Sequence, residues 1–401
     1  MSSGFDFDHE ISREGTSSLK YDGRQSMFGK DDVIPAWVAD MDFAAPTAVT
    51  RALAQRAAHP IYGYTLFPDG LYDALIGWMQ RRHGWAIQRD WIVLCPGVVP
   101  SLNAAVMAFT QPGESVIIQP PVYFPFFSAV TQTGRKLIQN PLRLEDGRYT
   151  IDFDHLAQCA QDARLLLLCS PHNPVGRVWQ PAELERLLEI AEQHDLIIFS
   201  DEIHADLIYP GHKHYALATF PEHAAKIITA VAPSKTFNIP GLNLSALIIP
   251  GKSIRTAITQ AFNNLHVSAS NPFSIAAFET AYREGDAWLE ALLTYLRNTR
   301  DDVEAFLAQH LPEIKVTRAE GTYLLWLDCR ALNRTDAQLK HFFIHEAGVG
   351  MSPGTLFGAE GSGFMRLNIG APKRTVLRVL EKIRQAKNQN AIDRTGYGNC
   401  D

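Results

Sequence analysis

Six short apolar runs constrain what this chain can fold into more than any other feature. They are Trp91–Cys95 (WIVLC), Ser115–Gln119 (SVIIQ), Leu165–Cys169 (LLLLC), Leu196–Ser200 (LIIFS), Ile227–Val231 (IITAV) and Ala246–Pro250 (ALIIP). Each is about one strand long and apolar on consecutive residues, the pattern of a strand buried on both faces. Segments with helical spacing lie between many of them. Pro181–His194 (PAELERLLEIAEQH) is the clearest, with a proline near its start, early glutamates and leucines on one face. Strands alternating with helices predict an α/β domain with a largely parallel sheet.

The rhythm changes near Gly285. Helical periodicity runs from Ala287 to about His310, a strand pair is expected around Lys315–Thr317 and Thr322–Asp328, and Thr375–Ala386 reads as a helix. The expected organisation is an N-terminal segment over 1–45 packing on the other domains, a large domain over 46–284, a smaller α+β domain over 285–390, and a flexible tail over 391–401. With 46% hydrophobic residues there is ample material for a core. A net charge of −6 and the lack of a basic block argue against nucleic acid as a partner. No stretch approaches the length of a membrane span, and the polar start MSSGFDFDHE has neither half of a secretory signal. Five cysteines, none in a C-x-x-C, suit reduced structural thiols in a cytoplasm.

The residues that follow the runs are unusual. Cys95 is followed by PGVVPS, Gln119 by PPVY, Cys169 by SPHNPVG, Ser200 by DEIH and Val231 by APSK. In an open α/β sheet, ligands bind outside the carboxyl ends of the strands, so these five segments are expected to converge on one site. No zincin, EF-hand, Walker or G-x-G-x-x-G pattern occurs. His212-Lys213-His214 reads as a polar loop, and no metal is expected.

Ser170–Gly176 (SPHNPVG), Asp201–His204 (DEIH) and Ser234–Leu242 (SKTFNIPGL), in this order, resemble the fold-type I pyridoxal-5′-phosphate (PLP) enzymes of the class I/II aminotransferase superfamily. Together with Trp37–Phe43 (WVADMDF) and Arg366–Gly370 (RLNIG), they resemble the cystathionine β-lyase and cysteine-S-conjugate β-lyase branch. The resemblance covers nearly the whole chain and implies a PLP-dependent transferase-like fold.

It also implies roles, each with a plainer alternative. Lys235 would hold the cofactor aldehyde and then move protons, where an isolated lysine would be a solvated charge. Asp201 would hold the protonated pyridine nitrogen, where the plain use is an N-cap. His204 would back it, or be a packed core histidine. Asn173 would reach the phenolic oxygen, or sit in a turn. Tyr123 would stack on the ring, or be a buried aromatic. Gly97, Val98 and Val99 would bring backbone N–H groups to the phosphate, with the Ser234 hydroxyl. Tyr64 would reach the phosphate from a partner subunit, making the site a property of a homodimer, or be an aromatic turn. Arg366 would take the substrate carboxylate with backbone near Ala39, and Asn173 would border the same substrate.

Two positions depart from many aminotransferases of this superfamily. Asn243 stands where an arginine follows the lysine by about eight residues, and Ala232 where a serine precedes it by three. The lyase-like branch also lacks that arginine. The expected activity is β-elimination from a small sulfur-containing amino acid, giving a thiol, ammonia and pyruvate. An aminotransferase and a partner-binding regulator on the same fold are the alternatives.

Overall fold

A computed structural model describes residues 4–396. They divide into two compact units. The larger comprises Ala44–Ala291 with Glu320–Thr322; the other comprises the described residues before Ala44, Leu292–Ala319, and those from Tyr323 onward.

The larger unit is built on a seven-stranded sheet. Its strands are β1 (Ile92–Cys95), β2 (Ser115–Ile118), β3 (Lys136–Gln139), β4 (Ala163–Cys169), β5 (Ile197–Asp201), β6 (Ile227–Val231) and β7 (Ser245–Ile248), in the spatial order β1-β7-β6-β5-β4-β2-β3. All six apolar runs are therefore strands. The seventh, β3, was not expected: KLIQ is short, begins with a lysine and is only partly buried, so it lacks the continuous apolar signature of its neighbours.

The pairs β2–β3, β2–β4, β4–β5 and β5–β6 are parallel, whereas β7 runs antiparallel to both β6 and β1. Because β7 is reversed against both neighbours, β1 points the same way as β2, β4, β5 and β6. The carboxyl ends of these five strands lie on one edge of the sheet, and they carry the five segments singled out from the sequence. The reversed β7 brings its amino end, just after Asn243, to that edge: Ser245 is paired with Cys95. Beneath the edge the core is close to fully buried and is built from Val116, Ile118, Leu165, Leu167, Phe199, Ile228 and Leu247.

Helices form where the sequence supplies their ends. The first to be labelled, α1, is Val98–Phe109, and α2 is Pro181–Gln193. The latter has proline in its first turn and a capping box between Gln180 and Glu183.

In the smaller unit, β8 (Lys315–Val316), β9 (Leu324–Asp328), β10 (Ser352–Pro353) and β11 (Phe364–Asn368) form an antiparallel sheet in the order β8-β9-β11-β10. The N-terminal segment joins this unit through a parallel pairing of Ile34–Pro35 with Val349–Gly350. The last helix, α3 (Lys373–Gly396), covers residues 391–396 of the expected tail. Residues 397–401, including Cys400, lie outside the described residues.

Candidate active site

Each site-bearing segment of the larger unit leaves the same edge of the sheet. After β1, Gly97 caps α1 with φ 154°, a backbone region that L side chains rarely adopt. A glycine cap adds no side chain over the helix end. The first-turn N–H groups at Val98 and Val99 thus form the positive end of a three-turn helix, suited to a phosphate.

After β2 and β4, two loops are tied together. The Tyr123 N–H donates to Asn173 O at 3.1 Å, and His172 Nε2 donates to Pro121 O at 2.9 Å. Burial holds the His172 ring pKa down at about 4, so it serves as a neutral peg. Asn173 is buried and Tyr123 half-buried. The far end of the loop is fixed by Arg177, which is 1% exposed and bonded to Glu320 (2.9 Å), Glu183 (2.7 Å) and Tyr149 O.

Asp201 is the last residue of β5. Burial lifts its carboxyl to about pKa 7, against a bond from the Ile203 N–H and the charge of Lys235, both of which favour ionisation. The adjacent Glu202 is treated differently. It accepts from Ser200 Oγ (2.8 Å), His214 Nε2 (2.8 Å) and the Leu217 N–H (2.9 Å). His214 is thus a buried partner of Glu202, which corrects its assignment to a polar loop. Nothing in the spacing of H-K-H announces this, because the contact closes only when the chain turns back on β5. His204 is buried, at 3% exposure.

Lys235 lies in the single turn Pro233–Thr236 after β6, half-buried beside Ser234. The turn is pinned by its last residue. Thr236 Oγ1 donates to Asp206 Oδ2 at 2.7 Å, and Asp206 also accepts from His83 Nε2 (2.8 Å) and Trp78 Nε1 (3.0 Å). Burial alone would raise the Asp206 pKa, but His83 and the two neutral donors bring it below the usual carboxylate value. Asp206, His83, Trp78 and Thr236 were not singled out beforehand; an acid two residues past DEIH carries no signal until its three donors are assembled.

Tyr64 is fully exposed, on a segment where Ile61, Tyr62 and Leu66 are exposed as well. Arg366 and Ala39 belong to the smaller unit. Arg366 is on β11 at 4% exposure, with its guanidinium over the Phe357 ring at 4.8 Å and Nη2 donating to Trp37 O at 2.8 Å. Ala39 O accepts from the Tyr323 hydroxyl at 2.8 Å.

The donor set of the larger unit fits PLP: a lysine amine, a buried carboxyl for a cationic nitrogen, a buried amide, an aromatic ring and a helix end for a phosphate. The sequence profile of the aminotransferase class I and II family matches residues 33–383. The chain belongs to that family.

Within the family it is similar to the cystathionine β-lyase PatB of Bacillus subtilis, with 43% identity over 383 residues that cover 95% of this chain and 99% of the relative. Among solved structures it is similar to cystalysin from Treponema denticola, which contains pyridoxal 5′-phosphate, with a TM-score of 0.93, 39% identity, and 96% and 99% of the two chains covered. A PLP-bound C–S lyase from Staphylococcus hominis gives a TM-score of 0.88 at 32% identity, covering 95% and 98%. Among the described residues no helix is long and apolar enough to cross a membrane.

Proposed function

We infer that this chain is a PLP-dependent carbon–sulfur β-lyase of the cystathionine and cysteine-S-conjugate type. The observation that carries the inference is the 43% identity, nearly end to end, with a cystathionine β-lyase. The Lys235 and Asp201 geometry at one sheet edge supports it.

When bound, PLP supplies an electron sink that stabilises negative charge at the substrate Cα. The protein's own groups do the rest. Lys235 Nζ would hold the cofactor, and as a free amine it would take the Cα proton and return a proton to the departing sulfur. Asp201 would pair with the protonated pyridine nitrogen, Asn173 would donate to the phenolic oxygen and Tyr123 would stack on the ring. Gly97, Val98, Val99 and Ser234 would hold the phosphate, with His204 backing Asp201. Arg366 receives the α-carboxylate beside Ala39. Cleavage of the Cβ–S bond, followed by addition of water, yields thiol, ammonia and pyruvate.

We place this chemistry in a cytoplasmic homodimer. The described cysteines Cys95, Cys159, Cys169 and Cys329 carry no disulfide, which suits a reducing compartment. The exposed Tyr64 segment suits a subunit contact.

Product analysis with cystathionine tests the reading. Elimination produces pyruvate without any added 2-oxo acid. If cystathionine is consumed only when a 2-oxo acid acceptor is supplied, the protein is an aminotransferase and the lyase reading is wrong.

A further inference from the structure

The WVADMDF segment has more holding it than a connecting strand needs. Its carbonyls are taken in succession. Trp37 O accepts from Arg366 Nη2 (2.8 Å) and Ser352 Oγ (3.3 Å), Ala39 O from Tyr323, and Val38 O and Asp40 O from Asn368 Nδ2 (2.5 and 2.7 Å). Arg366 and Asn368 both come from β11.

The segment's two carboxylates are gripped by a cluster of cations. Arg13 donates to Asp40 Oδ1 and Oδ2 (2.9 and 2.7 Å) and to Asp42 Oδ1 (2.8 Å). Lys20 Nζ reaches Asp42 Oδ2 at 3.0 Å, as does the Tyr21 hydroxyl, whose pKa is raised first by burial and then by Asp42. Lys20 is 1% exposed, and its own carbonyl accepts from Trp37 Nε1 at 3.0 Å. Two positive and two negative charges balance. Lys20 and Asp42 are buried and Arg13 and Asp40 half-buried; in such a balanced cluster desolvation offsets much of the attraction, and the more distinctive contribution is fixed geometry.

We propose that the Lys20–Asp42–Arg13–Asp40 cluster is a positioning device for Arg366, with Lys20 as a positioning residue for binding of the substrate α-carboxylate. The proposal rests on Arg366 being the carboxylate receptor. A carboxylate takes two parallel bonds only from a guanidinium whose plane is fixed. The Phe357 ring fixes one face of Arg366, and Trp37 O fixes one edge. Trp37 O is only as steady as the segment that carries it, and the ion cluster holds that segment. Loosening the cluster shifts the guanidinium edge and weakens carboxylate binding, while leaving the lysine chemistry of the larger unit untouched.

The test uses the PLP-loaded protein and two probes that differ by a carboxylate, L-alanine and ethylamine, each titrated by its effect on the visible cofactor spectrum. Lys20→Met weakens L-alanine binding by about tenfold and leaves ethylamine within about twofold; for cystathionine it raises KM with kcat nearly unchanged, the signature of lost uniform binding. Tyr21→Phe, which removes one neutral bond and no charge, shifts both measures in the same direction by less. It decides the matter should Lys20→Met not fold. Arg366→Met is measured in parallel. If Arg366→Met binds both probes like the wild type, the carboxylate reading of Arg366 fails. If Arg366→Met discriminates between them but the cluster variants do not, the positioning role is refuted. Equal weakening of both probes by the cluster variants also refutes it, since that marks a general effect on the fold.

Discussion

Asp201 ends β5 and a second acid, Glu202, follows it directly; their environments separate their uses. Glu202 has three donors from the protein itself, whereas Asp201 is buried with a backbone N–H and keeps a carboxyl near pKa 7. The consequence for stability has a definite sign. A carboxyl whose folded pKa exceeds its unfolded value makes the folded state bind more protons between the two, so stability falls as pH rises through that window. For Asp201 the window runs from 3.8 to about 7. Cofactor-free wild type is expected to lose on the order of a few kcal/mol across it from this group. Asp201→Asn removes that component, and saturation with PLP suppresses it by supplying the cationic partner. Urea denaturation at several pH values checks the slope. Identical pH slopes for the cofactor-free wild type and Asp201→Asn would contradict the assignment.

A single turn carries Lys235, too short to hold itself by its own hydrogen bonds. Its orientation comes from what it is fastened to. Phe237, the residue after the turn, is fully buried between Trp78, Tyr282 and Trp288, and Thr236 is tied to Asp206. Thr236→Val keeps the shape of the side chain and removes the donor to a buried carboxylate. It is expected to cost about 1.5–3 kcal/mol of unfolding free energy, the range for a hydrogen bond to a charged group. Thr236→Ser retains the hydroxyl and is expected to lose less than about 1 kcal/mol, chiefly one methyl's burial. Denaturant unfolding of the two variants side by side gives the comparison. A larger loss for Thr236→Ser than for Thr236→Val would show that the methyl, and not the bond to Asp206, secures the turn.

At the scale of the whole molecule, four large apolar or aromatic side chains, Ile61, Tyr62, Tyr64 and Leu66, are more than half exposed within six residues. A concentration of this kind supports the proposed subunit contact. In the proposed homodimer, where Asn243 replaces an arginine, the Tyr64 hydroxyl would reach the phosphate from the second subunit. Subunits carrying Lys235→Ala and subunits carrying Tyr64→Phe are each expected to be impaired alone. Mixed dimers then regenerate sites that pair an intact Lys235 from one chain with an intact Tyr64 from the other. Activity of the mixture well above either parent, with dimer mass by sedimentation, is the expected outcome. A fully active monomer would exclude sharing.

How much was legible follows from how local each signal is. Burial of a strand on both faces is written in consecutive residues, so all six apolar runs were recognisable, and with them the class of fold. The five segments of the site edge were recognisable too, because glycine, proline, asparagine, aspartate and lysine after an apolar run stand out against their neighbours. Periodicity says nothing about direction, so the reversal of β7, which brings Asn243 to the same edge, was decided by the sheet. The partly buried β3 was hidden for the opposite reason: an edge strand needs no continuous apolar run. Hydrogen-bond partners far apart in the chain left no trace in the sequence. Asp206 meets His83 from 123 residues away, Glu320 meets Arg177 across 143, and Arg366 meets Trp37 across 329. The sequence determined which groups this protein has to work with and on which strand ends they stand. Tertiary structure decided which of them are held still, because a buried charge or donor finds its partner only after the chain has closed around it.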